Sequence, residues 1–174
     1  MSTTLETRFT SEVGWNWLDS ATNSVTRTQG NFRRQASFSS TSTPTVDGVW
    51  YQENATLPAL SSITHDLANL TQNIYGNDIP IHFASLCSLY IYNRSETRSL
   101  VIANTGSTTA SNIVSSSFLN LIVPPGGFFT LCNPQADWNI SNTRNEIKLQ
   151  NAFSEPISYD IILTGTLLAS PTQK

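Results

Sequence analysis

Phe83-Ala84-Ser85-Leu86-Cys87-Ser88-Leu89-Tyr90-Ile91-Tyr92 decides the fold class of this 174-residue chain. The run holds no charge, no glycine and no proline, and it alternates bulky with small side chains. Successive side chains of a strand point to opposite faces. Phe83, Ser85, Cys87, Leu89 and Ile91 are therefore expected on one face, and Ala84, Leu86, Ser88, Tyr90 and Tyr92 on the other. Apolar groups on both faces mark a central strand covered on both sides. Asn93-Arg94-Ser95-Glu96-Thr97 then makes a polar turn, and Leu100-Val101-Ile102-Ala103 runs on as a second strand, so 83–103 is expected to be a hairpin.

The same grammar continues downstream. Phe118 to Val123 reads as a strand, and Pro124-Pro125-Gly126-Gly127 forces a tight turn, since proline fixes φ and glycine supplies φ > 0. Phe128 to Cys132 leads away from it. Trp138-Asn139-Ile140 is a short strand, Glu146 to Gln150 alternates, and Ile157 to Leu163 closes the series as a second central strand. Strands about 8–15 residues apart with punctuated turns predict an all-β antiparallel sandwich, jelly-roll-like. The segments IYNRSETRSLVI and LQNAFSEPISYDII echo each other as strand, Asn, polar turn and strand, which reads as shared hairpin chemistry, not a repeat.

Upstream, Asp47-Gly48 signals a turn before Val49-Trp50-Tyr51, and Ile79-Pro80 introduces a strand. Apolar residues at 57, 60, 63, 67 and 70 have helix-like spacing. Residues 1–45 are poor in large aliphatics. Phe9, Val13 and Trp17 are four apart, as in a short helix, whereas Trp15 and Trp17 flanking Asn16 fit strand alternation, and the two readings stay open. Residues 31–45 alternate weakly and end in a Ser/Thr/Pro linker. The chain thus divides into an extended or irregular N-terminal arm or edge segment, 1–45, and a β-sandwich domain, 46–174.

Composition bounds the function. Ser, Thr and Asn make up about a third of the chain, while charged residues are 12%, against about 25% in average proteins. The net charge is −3, which argues against a basic nucleic-acid-binding surface. No run of eighteen apolar residues predicts a membrane-spanning helix, and Met1-Ser2-Thr3-Thr4 leads into polar sequence with no secretory pattern. Cys87 and Cys132 sit in apolar runs and read as unpaired buried thiols, a disulfide being the alternative.

Catalytic patterns are sparse. His65-Asp66 are neighbours, and neighbours on a strand face opposite ways, so His65 and His82 read as solvated loop residues. No G-x-S-x-G elbow, phosphate loop, zinc spacing or calcium loop occurs. A glycosidase-type carboxylate pair, Glu53 with Asp66 or Glu146, has no supporting pattern. The chain is therefore expected to be non-enzymatic, with no cofactor and no metal.

Residues 46 to 166 resemble small virion-associated proteins of bacteriophages in the order of their features. Asp47-Gly48-Val49-Trp50-Tyr51-Gln52 resembles a D-x-V-W-x-D/Q segment. Thr56-Leu57, Asp66-Leu67 and Tyr75-Gly76 resemble the T-L, D-L and F-G that follow. Ile81 to Asn93 resembles I-x-F-x-x-[VL]-x-x-[IL]-x-I-x-N, and Val123 to Phe129 resembles V-x-P-G-G-x-[FL] with a second proline. Trp138-Asn139-Ile140 stands where these proteins have G-[YW]-x-V. Ile147 to Asn151 resembles I-K-[VI]-x-N, and Ser158 to Gly165 the closing [VS]-[TS]-Y-D-I-I-[IL]-x-G. The resemblance covers about two-thirds of the chain and leaves the first 45 residues unmatched. It favours a strand leading into a loop over 57–70.

The resemblance implies a jelly-roll-like virion structural protein, a capsid decoration or cement protein or a minor capsid component. The expected partners are the major capsid protein or other virion proteins and further copies of the chain, a homotrimer being the expected form. The expected place is the virion, assembled in the host cytoplasm, with no direct nucleic-acid or membrane contact. The alternative is a receptor- or carbohydrate-binding sandwich on a phage fibre or tail, with Trp15, Trp17 and Trp50 as stacking platforms. Phe9, Trp15, Trp17, Phe32 and Phe38 are the interface candidates: they need burial, and few aliphatics near them could form a core. Either they pack on a neighbouring subunit, or the arm packs back on its own sandwich.

Overall fold

The computed structural model of the chain describes residues 5–19, 26–39, 41, 45–103, 120–133, 135–141 and 145–168, and for 15–19 and 26–29 the backbone alone. The described residues form strands and no helix. A ribbon of β1 (Glu6–Asp19) and β2 (Thr26–Ser39) precedes the sandwich. The sandwich strands are β3 (Gly48–Leu57), β4 (Ser62–Asp66), β7 (Phe83–Asn93), β8 (Leu100–Ala103), β9 (Asn120–Val123), β10 (Phe128–Cys132), β12 (Glu146–Gln150) and β13 (Ile157–Leu167). A small hairpin of β5 (Leu70–Ile74) and β6 (Asn77–Ile81) is inserted between β4 and β7, and short β11 (Trp138–Asn139) joins β7.

One sheet runs β10-β7-β13-β3 and the other β4-β12-β8-β9. The pairing is nested: β3 with β13, β4 with β12, β7 with β10, and β8 with β9, all antiparallel. Such nesting is that of one long hairpin wound into two facing sheets, a jelly roll. The all-β sandwich expected from the sequence is the fold observed, with β7 and β13 as adjacent central strands.

The expected hairpin over 83–103 does not form. β7 lies in the first sheet and β8 in the second, so the polar segment between them carries the chain across the sandwich. The second echoing segment does the same, taking the chain from β12 back to β13. The two corners share one device, a fully buried asparagine. Asn93 Nδ2 donates to the carbonyls of Arg98 (2.7 Å), Val123 (3.1 Å) and Pro124 (3.1 Å), and its Oδ1 accepts from the Ser95 N–H. Asn151 Nδ2 donates to the carbonyls of Glu155 (2.7 Å), Pro58 (2.9 Å) and Leu57 (3.4 Å), and its Oδ1 accepts from the Phe153 N–H. Arg98 ties the corners together: its Nε lies 3.1 Å from Glu155 Oε2 and its guanidinium 5.3 Å from the Phe153 ring centre. Asn93 also clamps the Pro124-Pro125-Gly126-Gly127 turn. There Gly126 has φ +63° and the Gly127 N–H closes on the Pro124 carbonyl at 2.9 Å, a type II geometry.

The core lies between the sheets. Trp50, Leu163 and Leu89 form one cross-strand row, and Ile161 with Ile91 the next. Leu149, Ile147, Ile102, Leu100 and Val123 face them from the second sheet. Burying each such side chain contributes about 1.5–3 kcal/mol. The strict alternation expected for β7 breaks twice. Its register against β13 slips between Thr164 and Gly165 and again between Thr166 and Leu167. Each slip leaves one extra residue on β7, Cys87 and then Ala84, and each β-bulge reverses the side-chain phase. Leu86 therefore joins the main core, while Cys87 turns away into a second cluster with Phe38 and Val46. Gly165 sits at the first bulge, where an added Cβ would fall on the Ser85 carbonyl oxygen and 2.9 Å from Leu86 Cα.

Candidate interaction surface

β1 and β2 pair without a break from Glu6↔Ser39 to Asp19↔Thr26, so the arm is a regular β-ribbon. The open choice between helix and strand for 5–18 resolves to strand, because β2 supplies the backbone partner. Cross-strand partners share a face. Thr7↔Phe38, Phe9↔Ala36, Ser11↔Arg34 and Val13↔Phe32 lie on one side, and Arg8↔Ser37, Thr10↔Gln35 and Glu12↔Arg33 on the other. The first side is largely apolar and the second polar. The register places Trp15 and Trp17 at positions in phase with Val13.

The apolar side has two fates. At the base, Phe38 is 4% exposed and packs with Val46 and Cys87, with Leu5, Phe9, Ala36 and Cys132 around them. Further along, Val13 is 61% and Phe32 52% exposed, with Arg34 4.7 Å above the Phe32 ring centre. Of the five interface candidates, Phe38 and Phe9 are absorbed by the chain's own sandwich, Phe32 stays open, and the side chains of Trp15 and Trp17 lie outside the described residues. Among the described residues the ribbon pairs with no strand of the sandwich.

It lies instead over the outer face of the larger sheet. One cleft of about 400 Å³ separates Thr7, Phe9 and Phe38 from Val49, Ser88, Ile162 and Thr164. A second, about 410 Å³, separates Phe9 to Val13 from Tyr90, Phe128 and Thr130. The Thr7 and Thr130 hydroxyls are buried there with no hydrogen-bond partner among the described residues. On the same outer face, Tyr51, Ile162 and Tyr90 form a cross-strand row, and Tyr92 with Phe128 the next. Tyr90 stacks on Phe128 with ring centres 6.3 Å apart. Tyr51 is 42% exposed and Phe128 65%. The rim of this face is polar: Asp160 Oδ1 accepts from Arg94 Nε at 2.6 Å and from the Asn54 N–H at 2.7 Å, Asn54 having φ +52° at a bulge in β3.

A second projection escapes sequence reading. The β5–β6 hairpin turns at Tyr75 (φ +51°) and Gly76 (φ +84°), a type I′ pair of angles. Tyr75 is fully exposed, and Ile74 and Ile79 are exposed beside it. The signal was the two-residue Tyr75-Gly76 loop between alternating segments. A non-glycine aromatic at positive φ is uncommon.

The groups singled out for chemistry sit elsewhere. His65 is not a solvated loop residue: it lies in β4, 5% exposed, with its ring centre 5.1 Å from that of Trp50 and Nε2 3.4 Å from the Tyr159 hydroxyl. Burial pushes its pKa down to about 4 and that of Tyr159 up to about 12. The apolar spacing around 63 and 67 hid a strand whose inner face takes the imidazole. His82 is exposed, with Nδ1 on the Ala68 carbonyl. Asp66 and Glu146 are cross-strand partners, but Glu53 belongs to the other sheet. Asp66 accepts from the Ala68 N–H and Asn145 Nδ2 on one oxygen and from Asn69 Nδ2 on the other, which makes it the organiser of its turn. Cys87 and Cys132 are free thiols, and burial is the first cause raising both, Cys87 to about 11. Among the described residues no group of three or more His, Cys, Asp or Glu is placed to hold a metal ion.

No protein-family model matches the chain, and no curated protein matches it.

Proposed function

We propose that this chain is a non-enzymatic virion structural protein, a capsid decoration or minor capsid component that binds the viral shell and stabilises it. It acts with further copies of itself, a trimer being the expected form, and with the major capsid protein or other virion proteins. The observation that supports this reading best is the ribbon, whose apolar face is used at its base and left more than half exposed at Val13 and Phe32. A lone two-stranded ribbon is marginal in water, so such a face calls for a second body. The jelly-roll topology suits a shell component, since that architecture serves viral capsids as well as lectins.

The lectin side of that pairing gives the second reading, a receptor- or carbohydrate-binding module. Tyr75, fully exposed at the tip of the β5–β6 hairpin, favours it, because an aromatic ring is a ready stacking platform. Quantitative mass spectrometry of purified particles separates the two. Hundreds of copies that fractionate with the head support the shell component. A few copies on an appendage support the adhesin, and absence from particles refutes both.

A further inference from the structure

Cys87 and Cys132 are the two cysteines of the chain, 45 positions apart in sequence. The fold sets them side by side. Cys132 ends β10 opposite Ser88 of β7, and the Asn133 N–H donates to the Cys87 carbonyl at 3.0 Å, so the cysteines sit one step out of register on adjacent strands. In regular pairing, that one step would put them on opposite faces of the sheet. The bulge in β7 removes the obstacle. Thr130 and Cys132 alternate onto the outer face of the larger sheet, whereas Phe129 and Leu131 pack on the main core. The extra residue that β7 carries against Thr164 and Gly165 is Cys87 itself, and it turns outward beside Ser88. Both cysteines therefore pack in the one small cluster built on Phe38 and Val46. For neighbouring strands one step out of register the Cα separation is about 5.6–6.4 Å, inside the roughly 4.4–6.8 Å that a disulfide spans.

The two thiols are not equivalent. Cys87 is fully enclosed, its S–H 3.8 Å from the Thr45 carbonyl, while Cys132 at the end of an edge strand is half-buried. Burial, and then the negative charges of Asp137 and of a Cys132 thiolate, hold the Cys87 thiol up. A reagent from solution therefore meets Cys132 first. We propose that Cys87 and Cys132 are a redox pair that closes to an intramolecular disulfide when a glutathione-type disulfide reaches Cys132. The Cys132 thiolate attacks one sulfur of glutathione disulfide; that S–S bond breaks, one glutathione thiolate leaves, and a mixed disulfide forms on Cys132. The Cys87 thiolate then attacks the Cys132 sulfur and expels the second glutathione. The two protons given up by the cysteines end on two glutathione thiols, so the protein is oxidised by two electrons and glutathione disulfide is reduced by two. The new bond fastens β10 to β7 beneath the root of the ribbon, where Phe38, Phe9 and Ala36 gather. Raised thiols react slowly, so closure is expected on the order of minutes to hours. The proposal goes beyond the virion reading and does not depend on it.

The test incubates the purified full-length chain with glutathione disulfide and follows intact mass, with peptide mapping after alkylation. The wild type should lose two hydrogens, passing through a single glutathione adduct on Cys132, and the mapped bond should join Cys87 to Cys132 of one chain. Cys87→Ala should stop at that adduct, and Cys132→Ala should stay unmodified over the same time. Near-ultraviolet circular dichroism establishes that each variant keeps its packing, and Cys87→Ser, closer in size, replaces the alanine variant if that does not. A second measurement sets the pair against glutathione redox buffers. The folded chain should become half-oxidised at a ratio of glutathione disulfide to squared glutathione at least tenfold lower than the chain in concentrated urea, because the fold holds the two sulfurs together. A wild type whose thiols stay free in the native state overturns the proposal. So does a bond between two chains, glutathione held stably on both cysteines, first attack at Cys87, or a native pair no easier to oxidise than the unfolded one. None of these results bears on copy number per virion, so this proposal and the virion reading fail separately.

Discussion

The sandwich and the ribbon use the same strand chemistry and reach opposite states. In the sandwich the two inner faces meet each other: Leu163, Leu89 and Trp50 close against Leu149 and Ile102 with almost no exposure. In the ribbon, one apolar face starts against Val46 and Cys87 and ends at Val13 and Phe32, more than half exposed. Its strands are longer than most in the sandwich, 14 residues each, yet length without a covering layer gives no core. The difference teaches that regular pairing and burial are separate achievements. A strand pair satisfies its backbone locally, and stability comes from what lies on its face.

That contrast breaks first at the core. Leu89→Ala should destabilise the chain by about 3 kcal/mol in urea unfolding, because the vacated space is enclosed by both sheets. Val13→Ala at the ribbon should change monomer stability by no more than about 0.5 kcal/mol. Equal effects would show that the ribbon is part of the cooperative core. Next come the corners. Asn93→Ala and Asn151→Ala each strip the amide donors from three backbone carbonyls, and each should destabilise by about 1–3 kcal/mol. Their double mutant, read by the same unfolding curves, should deviate from additivity if Arg98 and Glu155 couple the corners.

Acid sharpens the comparison further, since the one buried imidazole lies in the sandwich. Above pH 6.5, His65 is neutral in both folded and unfolded chains. Between pH 6.5 and about 4 the unfolded chain takes up a proton that the native state refuses, so stability falls as pH falls. The loss should approach about 3 kcal/mol near pH 4 and level off below it. Unfolding curves across this range check the slope, and His65→Phe should flatten it. An unchanged slope in that variant would place the titration elsewhere.

The sequence made some of this legible and hid the rest for identifiable reasons. The strands at 83–92, 128–132, 146–150 and 157–163 were readable from alternation and turn residues. Their partners were not, because a jelly roll pairs first with last, and Asn-Arg-Ser-Glu turn chemistry serves a crossing between sheets as well as a hairpin. The alternation of Phe83 to Tyr92 predicted one phase. Two bulges reversed it, and their signature lay on the neighbouring strand, in Gly165. His65 read as solvated because neither its strand nor the Trp50 and Tyr159 rings around it are local features. At the ribbon, a four-residue spacing of Phe9, Val13 and Trp17 suits helix and strand alike, and the decision rested with a partner strand 19 residues away at Val13↔Phe32. The interface candidates were picked as residues that need cover, and sequence had no means of dividing them into Phe9 and Phe38 at the base and Phe32 beyond it.

The central claim is that the sandwich is complete by itself and the ribbon's outer half is not. Hydrogen exchange of the purified full-length chain, followed by mass spectrometry at high and low protein concentration, tests it most directly. The prediction is that β7 and β13 amides stay protected at both concentrations, while amides of 10–19 and 26–35 lose protection on dilution. Ribbon amides protected equally at both concentrations, as strongly as those of β7, would contradict the account.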